Sequence, residues 1–178
     1  MTFDLATPVP RVRILSDFAD AQLRQLADVL IDCVEGGASV SFMLPLTPER
    51  ALAFWQRVAE GVSRGERALL VAEDAQGIVG TVQLVLELPE NQPHRGEVAK
   101  LLVHRRARRQ GMGALLMQAA EQLARQRAKT LLVLDTSGAE AERLYGRLGW
   151  TRLGVIPGFA LLPDGGLCDT TYFYRSLA

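Results

Sequence analysis

The sequence contains few cysteines and no excess of either charge. Cys33 and Cys168 are the only cysteines among 178 residues, too few for a disulfide framework and without the spacing of a metal site. We expect both to be small buried side chains in a reducing, cytoplasmic compartment. Basic and acidic residues number 20 each, which argues against nucleic acid or an anionic membrane as a partner, because both favour a basic excess.

Long apolar runs are also absent, since no stretch approaches the roughly 20 residues that cross a bilayer. The N-terminal stretch contains Asp4, Pro8 and Pro10 where a secretory signal needs unbroken apolar residues. We therefore expect no signal peptide and no integral membrane protein. His94 and His104 stand apart from each other, and we interpret them as loop or surface residues rather than metal ligands.

What is present is the composition of an ordinary globular protein, 48% hydrophobic and 22% charged, in a chain long enough to bury a core as one domain over 1–178. Hydrophobic periodicity and turn signals predict the following elements: a strand at 11–16, a helix at 17–34, a helix capped by Thr47 and Pro48, strands at 67–73, 78–88 and 97–103, a helix after the arginine-rich stretch, a strand at 130–135, a short helix at 139–149, and two strands around a turn at 163–166.

The middle of the chain has the pattern of a strand, a helix and a parallel strand. A right-handed crossover of this kind makes strands 97–103 and 130–135 neighbours in one sheet. The second strand is almost entirely apolar, which predicts burial on both faces. The intervening helix is expected to bury one apolar stripe, made of Leu115, Leu116, Ala119, Ala120 and Leu123.

The junction before that helix, RRQGMG at 108–113, has the properties of an anion site. A helix that begins near Gly111 leaves its first amides unpartnered and carries roughly half a positive charge at that end. Gly111 and Gly113 lack the Cβ atoms that would hold a phosphate away from the amides. The guanidinium groups of the adjacent arginines match phosphate geometry: Arg105, Arg106, Arg108 and Arg109. The alternative is a tight turn with solvated arginines, because short glycine motifs match by accident.

Two other nucleotide motifs fit less well. Asp135 ends the next strand about where a dinucleotide-binding fold places its ribose-binding acid, but Leu116 stands at the third glycine of that fingerprint and the first glycine comes too late after the strand. A P-loop is excluded because no Gly-Lys-Ser/Thr follows.

The combined motifs resemble the GNAT superfamily of N-acetyltransferases. They are the strand KLLV, the segment R-x-x-G-x-G at 108–113, the helix, the strand LLVLD, and A-x-x-L-Y-x-x-L-G-W at 141–150. The resemblance implies a mixed α/β sheet of about seven strands in the order β-α-α-β-β-β-α-β-α-β-β, splayed between the two parallel central strands. The C-terminal segment at 156–177 is similar to the tabtoxin-resistance acetyltransferases.

The resemblance also implies acetyl-CoA as cosubstrate, bound in the splay. The cofactor-binding residues would be Leu101, Leu102, Val103, Arg108, Arg109, Gln110, Gly111, Met112, Gly113, Ala114 and Ser137. The backbone of 101–103 would pair with the pantetheine arm as an added strand would. Many relatives have an asparagine where this chain has Gly138, and Ser137 is the candidate replacement.

Three residues are the candidate catalytic groups. Glu97 lies four residues before Leu101, on the same strand face by the period of two, and could take the amine proton. Asp135 ends a central strand and could share that work, although it is equally a turn or capping residue. Tyr145 has the spacing of a core aromatic, and the family motif suggests a general acid. Glu97 could also be only a solvated strand residue.

The expected function is transfer of an acetyl group to a primary amine of a small molecule, without nucleic acid, membrane or metal. The resemblance places the acceptor between residues 34–46 and the last two strands, near Phe42, Met43, Phe159 and Tyr172, and suggests an amino-acid-like toxin or antibiotic. The protein would be a monomer or homodimer. The alternatives are a catalytically silent acyl-CoA sensor and a nicotinamide-nucleotide binder.

Overall fold

The computed structural model describes residues 11–177. Its elements follow the predicted order: β1 Arg11–Leu15, α1 Asp20–Glu35, α2 Pro48–Ser63, β2 Arg67–Asp74, β3 Gly77–Val85, β4 Arg95–Val103, α3 Met112–Gln126, β5 Leu131–Thr136, α4 Ala139–Arg147, β6 Thr151–Leu161 and β7 Leu167–Ser176. A short 3-10 turn, Arg105–Ala107, precedes α3. The expectation about a signal peptide concerns residues 1–10, which lie outside the described part. Within 11–177, no helix has both the length and the apolarity to span a bilayer.

The seven strands form one sheet in the order β1-β2-β3-β4-β5-β7-β6. The β4 and β5 strands run parallel, and every other neighbouring pair is antiparallel. Both the mixed seven-stranded sheet and the parallel pair are therefore confirmed.

The parallel pair stays together for only a short distance. Hydrogen-bonded pairing joins Arg95–Glu97 of β4 to Leu131–Val133 of β5. Beyond Val133, β5 continues beside β7 as far as Thr136, whereas β4 continues beside β3 as far as Val103. The two strands consequently part in the middle of the sheet, as the resemblance implies, and their facing backbone edges open a gap.

Helices cover both faces of the sheet. On one face, α1 and α2 bury Leu26, Leu30 and Trp55, each 0% exposed. On the other, α3 buries Leu116 and Met117 in a second cluster. The predicted cap of α2 is confirmed, because the Thr47 side chain accepts a hydrogen bond from the Arg50 amide at 3.4 Å. Burial of these two apolar layers fixes where the central strands lie.

The predicted stripe of α3 is wrong in one position. Leu115 is 40% exposed, whereas Met112 and Met117, which were not in the predicted stripe, are buried. Because each residue turns the helix by about 100°, a stripe centred on Leu116 and Ala120 leaves Leu115 at its edge.

Two strand predictions also need correction. The β3 strand ends at Val85 rather than 88, because the amides of Leu86 and Glu87 both donate to the Glu66 carbonyl, at 2.8 and 2.9 Å, and turn the chain away from the ladder. The β5 strand is not buried on both faces: Leu132 and Leu134 are buried while Val133 is half-buried. It is parallel to one neighbour only, and its end borders the gap.

A buried carboxylate connects α3 to the C-terminal strands. Glu121 is 6% exposed. It accepts a hydrogen bond from Trp150 Nε1 at 2.9 Å and pairs with Arg175 Nε at 3.0 Å. The residue thus ties the helix that begins at the glycine junction to β7 and to the segment after α4.

Replacing this carboxylate should destabilise the fold. Glu121→Ala leaves Trp150 Nε1 and the Arg175 guanidinium without their partner, and we expect a loss of about 3 kcal/mol in the free energy of unfolding. Urea denaturation measures it. Gln122→Ala, on the exposed side of the same helix turn, is the control and should change stability little; equal stability of the two variants would contradict the structural role of Glu121.

Candidate active site

The glycine junction forms the uncapped beginning of α3. Gly111 precedes the helix with φ 81°, in the left-handed region, and no side chain caps this end. Arg109 is also left-handed, with φ 62°. These two residues turn the chain so that the first amides of the helix, from Met112 to Ala114, face outward without intrahelical partners. Such an end attracts an anion.

A cavity of about 650 Å³, the larger cavity, lies between this helix start, β4, α4 and the segment after α1. Ten of the eleven predicted cofactor residues line it: Leu101, Leu102, Val103, Arg108, Arg109, Gly111, Met112, Gly113, Ala114 and Ser137. Gln110 does not line the cavity, and its side-chain amide donates to the Arg106 carbonyl at 3.1 Å. Gln110 therefore stabilises the turn from outside the cavity.

The arginines before α3 are mostly engaged within the protein. Buried Asp32 of α1 accepts from the Arg105 amide at 2.9 Å and also contacts the Arg105 guanidinium. Arg108 Nη2 lies 3.7 Å from Asp32, and Arg108 Nε donates to the Val103 carbonyl at 3.0 Å. Arg106 bonds to Gln76 on the turn between β2 and β3. These contacts anchor the loop. Less of its positive charge is therefore available to an anionic ligand than the sequence indicates.

Two further arginines, absent from the prediction, supply charge to the larger cavity. Arg143 and Arg147 of α4 line it together with Arg108 and Arg109, against one acid, Glu140. The cavity is therefore positively charged within a chain that has no net charge, and it favours an anionic ligand. Their spacing of four along α4 could have indicated a shared helix face.

The glycines of this region have different roles. A Cβ at Gly111 would meet nothing within 4 Å, so its left-handed backbone is what requires glycine. A Cβ at Gly113 would lie 3.0 Å from Leu144 Cδ2, so this glycine permits close packing of α4. A Cβ at Gly138 would meet only Thr136 Oγ1 and Ala141 Cβ, at 3.8 and 3.9 Å. The site thus has room for the asparagine of the family pattern but lacks its amide.

A cavity of about 370 Å³, the smaller cavity, adjoins the larger one where β4 and β5 part. The three predicted catalytic residues, Glu97, Asp135 and Tyr145, all line it. Walls common to both cavities come from four parts of the fold: Ser39, Val40, Leu101, Thr136, Ser137 and Ala141. The arrangement brings the candidate catalytic groups to the end of the larger cavity.

Glu97 and Leu101 do not lie on one strand face, contrary to the prediction from regular alternation. Ala99 pairs with Gln83 and Leu102 pairs with Thr81, so between these pairs β4 has two residues where β3 has one. The extra residue makes a β-bulge, and Lys100 within it has φ 52°. A bulge shifts the alternation of side chains by one position. Even so, Glu97 and Leu101 both border the smaller cavity.

The two carboxylates have different partners. Glu97 is 46% exposed in its side chain and lies 3.4 Å from Arg95 Nη1. Asp135 Oδ2 accepts a hydrogen bond from Thr170 Oγ1 at 2.7 Å. A threonine of β7 thus orients the Asp135 carboxylate, which is exposed, while Glu97 is half-buried beside an arginine of its own strand.

Tyr145 lies at the base of the smaller cavity. Its ring is 5% exposed and packs on Trp150 and Phe173, with centroids 6.0 and 5.5 Å away. Burial, and to a lesser degree the charge of Asp135, raise the pKa of its hydroxyl above the ordinary 10.0. The group keeps its proton at neutral pH and can act as a donor.

Lys100 also borders the smaller cavity and was not among the predicted site residues. Its ammonium donates to Ser41 Oγ at 3.1 Å, and both residues line the smaller cavity. Burial lowers the pKa of Lys100 from the ordinary 10.5, the charge of Asp135 opposes this, and Arg67 lowers the pKa further. A signal was present, because strict alternation would have put this lysine on the same buried face as Val98.

Three of the four residues predicted near the acceptor border the smaller cavity. Phe42, Met43 and Phe159 line the smaller cavity. Tyr172 does not, but its ring packs edge-on against Phe159 with centroids 6.2 Å apart.

His104 caps the 3-10 turn, because its side chain accepts a hydrogen bond from the Arg106 amide. Within residues 11–177, no group of three potential ligands is placed to hold a metal ion.

A match to a known protein family identifies the family of this chain. Residues 37–150, more than half of the chain, match the Acetyltransferase (GNAT) family. The chain belongs to this family. The match extends from the wall of the larger cavity through the glycine junction to Trp150, so it includes β4, α3, β5 and α4 of the acetyltransferase.

Solved structures share the fold across most of this GNAT chain. An N-acetyltransferase from Staphylococcus aureus Mu50 superposes with a TM-score of 0.79 at 17% identity, over 96% of this chain and 99% of that one. A phosphinothricin acetyltransferase from Sinorhizobium meliloti, solved in complex with acetyl-CoA, gives 0.78 at 17% over 95% and 89%. A ribosomal-protein-alanine N-acetyltransferase from Brucella melitensis gives 0.76 at 22% over 93% and 99%.

The lowered pKa of Lys100 can be measured directly, because Lys100 and Lys129 are the only lysines in the sequence. We expect the ¹³Cε signal of Lys100 to titrate with a midpoint below 10.5. In Asp135→Asn the midpoint should fall further, because the carboxylate favours the charged ammonium. A midpoint at or above 10.5, or a rise in Asp135→Asn, would contradict the described environment.

Gly111→Val tests the beginning of α3. A β-branched residue at φ 81° is strained by roughly 1–2 kcal/mol, so the turn should rearrange and move the amides of Met112 to Ala114. We expect acetyl-CoA affinity, measured by titration calorimetry, to fall at least about tenfold, because charge-assisted hydrogen bonds are lost. Gly65→Val is a matched control: Gly65 is left-handed with φ 76° and equally unobstructed, but it lies outside both cavities. Unchanged affinity in Gly111→Val would argue against an anion site at this helix end.

Proposed function

We propose that this chain acts as a single domain that moves the acetyl group of acetyl-CoA to a primary amine of a small molecule. The observation that supports the proposal most is the parting of β4 from β5. It joins a positively charged cavity at an uncapped helix to a second cavity that contains three carboxylates and a protonated tyrosine. Family membership favours the same reaction.

The residues of the larger cavity fit the cofactor. A pyrophosphate suits the open amides of Met112 to Ala114, and Arg109, Arg143 and Arg147 add positive charge around them. Acetyl-CoA, when bound, supplies an activated thioester. The S. meliloti relative is a complex with acetyl-CoA, which supports this assignment.

The backbone of β4 beyond Glu97 faces the gap and is available to hold an extended ligand. One of its groups is already used, since the Val103 carbonyl accepts from Arg108 Nε. We therefore assign the arm of the cofactor to the Leu101 side of this edge. The Leu101 amide is then the donor for negative charge that develops on the thioester oxygen.

Proton transfer is assigned to the groups of the smaller cavity. Glu97 removes the proton of the acceptor ammonium, directly or through water, and Asp135 shares this work from its fixed position beside Thr170. Tyr145 donates a proton to the leaving thiolate. No cysteine intermediate is needed, and burial raises the pKa of the Cys33 thiol, which disfavours the nucleophilic thiolate.

A small-molecule acceptor agrees with the size and lining of the smaller cavity. About 370 Å³ is at the lower end of the range for sites that hold small ligands. Phe42, Met43 and Phe159 provide apolar walls. The similarity of the C-terminal segment to tabtoxin-resistance acetyltransferases and the phosphinothricin acetyltransferase of S. meliloti both favour an amino-acid-like toxin or antibiotic.

Glu97→Gln separates an acetyltransferase from an acyl-CoA sensor. We expect kcat to fall on the order of 100-fold, the usual size of a general-base contribution, and most strongly at low pH, where more of the acceptor is protonated. Acetyl-CoA affinity should stay the same because Glu97 lies outside the larger cavity. Thiol release over a panel of amines measures turnover.

Glu87→Gln is the control for this substitution. Glu87 is an exposed glutamate after β3 and borders neither cavity, so its variant should keep the full rate. A wild-type protein that binds acetyl-CoA but acetylates no amine would favour the sensor, and a Glu97 variant with the full rate would remove Glu97 from the mechanism.

A further inference from the structure

The bulge of β4 gives the smaller cavity its one lysine. Because β4 has an extra residue opposite β3, Lys100 leaves the regular alternation of the strand. Its side chain reaches the cavity wall formed by the segment between α1 and α2, where Nζ donates to Ser41 Oγ at 3.1 Å. Bulges commonly redirect a side chain beside an active site.

Both residues of this contact have unfavourable backbone conformations. Lys100 has φ 52° and Ser41 has φ 77°, in the left-handed region where side chains other than asparagine and aspartate are uncommon. Strain of this kind concentrates at ligand sites. Two such residues, from distant parts of the chain, meet at one hydrogen bond in the wall of one cavity.

Among the described residues, no acidic side chain forms an ion pair with the Lys100 ammonium. Across the described range 11–177, no carboxylate oxygen lies within 4 Å of Nζ. A partly buried lysine is ordinarily paired with an acid, because its charge is costly to remove from water. Here its hydrogen-bond partner is a serine hydroxyl. The charge of Asp135 favours the ammonium from beyond contact distance, and the positive charge of Arg67 opposes it. An anion from outside the protein would satisfy this group.

The other charges of the smaller cavity are negative and come from different elements. Glu97 belongs to β4, Asp135 ends β5, and Asp169 is in β7. Asp169 Oδ1 also accepts from the Gly158 amide at 2.9 Å, which holds the β6–β7 hairpin. The cavity therefore offers one positive and several negative contacts, the pattern that complements a molecule with an amino group and an anionic group.

We propose that Lys100 binds the anionic group of the acceptor, so that the protein selects primary amines that also carry a carboxylate or a similar monoanion. The inference rests on the proposed function, since it concerns the acceptor of that reaction. It adds a specificity residue to the site: the carboxylates receive the amine, and Lys100 fixes the opposite end of the molecule. A bound anion also compensates the burial that lowers the pKa of Lys100.

The experiment compares acids with their amides. Amino acids with a primary amino group are assayed beside their primary carboxamides, which keep the amine and the side chain but lack the carboxylate charge. In the wild type we expect at least one acid to exceed its amide in kcat/KM by roughly tenfold or more, since a hydrogen bond to a charged group is lost in the amide. The difference should appear mainly in KM.

Three variants identify the residue responsible. Lys100→Met keeps the apolar stem and removes the charge, and the preference for the acid should collapse. Lys100→Arg keeps the charge and should retain part of the preference for the acid. Arg57→Met also removes one positive charge, but from the exposed side of α2 outside both cavities. This variant should retain the whole preference. Melting temperatures and acetyl-CoA affinities establish that each variant is folded and binds its cofactor.

Failure of the proposed function is distinguishable from failure of this inference. If no amine is acetylated, the function is wrong, and titration calorimetry of the same acids and amides into CoA-saturated protein still measures whether wild type prefers the acids and Lys100→Met does not. Equal kcat/KM for acids and amides in the wild type, a preference that survives in Lys100→Met, or equal loss in the arginine and methionine variants would each overturn the role of Lys100.

Discussion

The separation of two parallel strands is the feature on which the rest of this structure depends. β4 and β5 share three residue pairs, Arg95–Glu97 with Leu131–Val133, and each then follows its other neighbour. Parting leaves backbone groups without ladder partners, which is unfavourable in an interior. The fold tolerates it because β3 and β7 hold the outer edges of the two strands and because helices on both faces fix the sheet. The gap is thus maintained by packing elsewhere.

Charge is distributed around this gap in two opposite ways. The larger cavity has arginines from the loop before α3 and from α4, at the positive end of a helix. The smaller cavity has carboxylates from three strands and a single lysine. The arginines of the loop before α3 have different roles. Buried Asp32 holds Arg105 and Arg108 in place, whereas Arg109 remains available to contact an anion in the larger cavity. A chain with zero net charge can in this way place a positively charged cavity beside a mainly negative one.

Much of the fold could be predicted because it follows from local pattern. The turn of a helix, the alternation of a strand and the glycine junction are all visible in short windows, and the family motifs set the order. The errors arose where a distant contact decides the outcome. The β3 strand ends early because two amides after it bond to the Glu66 carbonyl. Leu101 lies on the opposite strand face from the predicted one because β4 contains an extra residue. Lys100, Arg143 and Arg147 were missed since their importance depends on which cavity they reach.

The common walls of the two cavities have a thermodynamic consequence. Ser39, Leu101 and Ala141 are among the residues that border both, so a ligand that displaces them on one side alters the surface offered on the other. Linkage requires such coupling to be reciprocal: whatever factor a ligand of the larger cavity contributes to affinity in the smaller one, a ligand of the smaller cavity contributes to affinity in the larger one. Under the proposed function, these common walls are therefore expected to couple the binding of the two substrates.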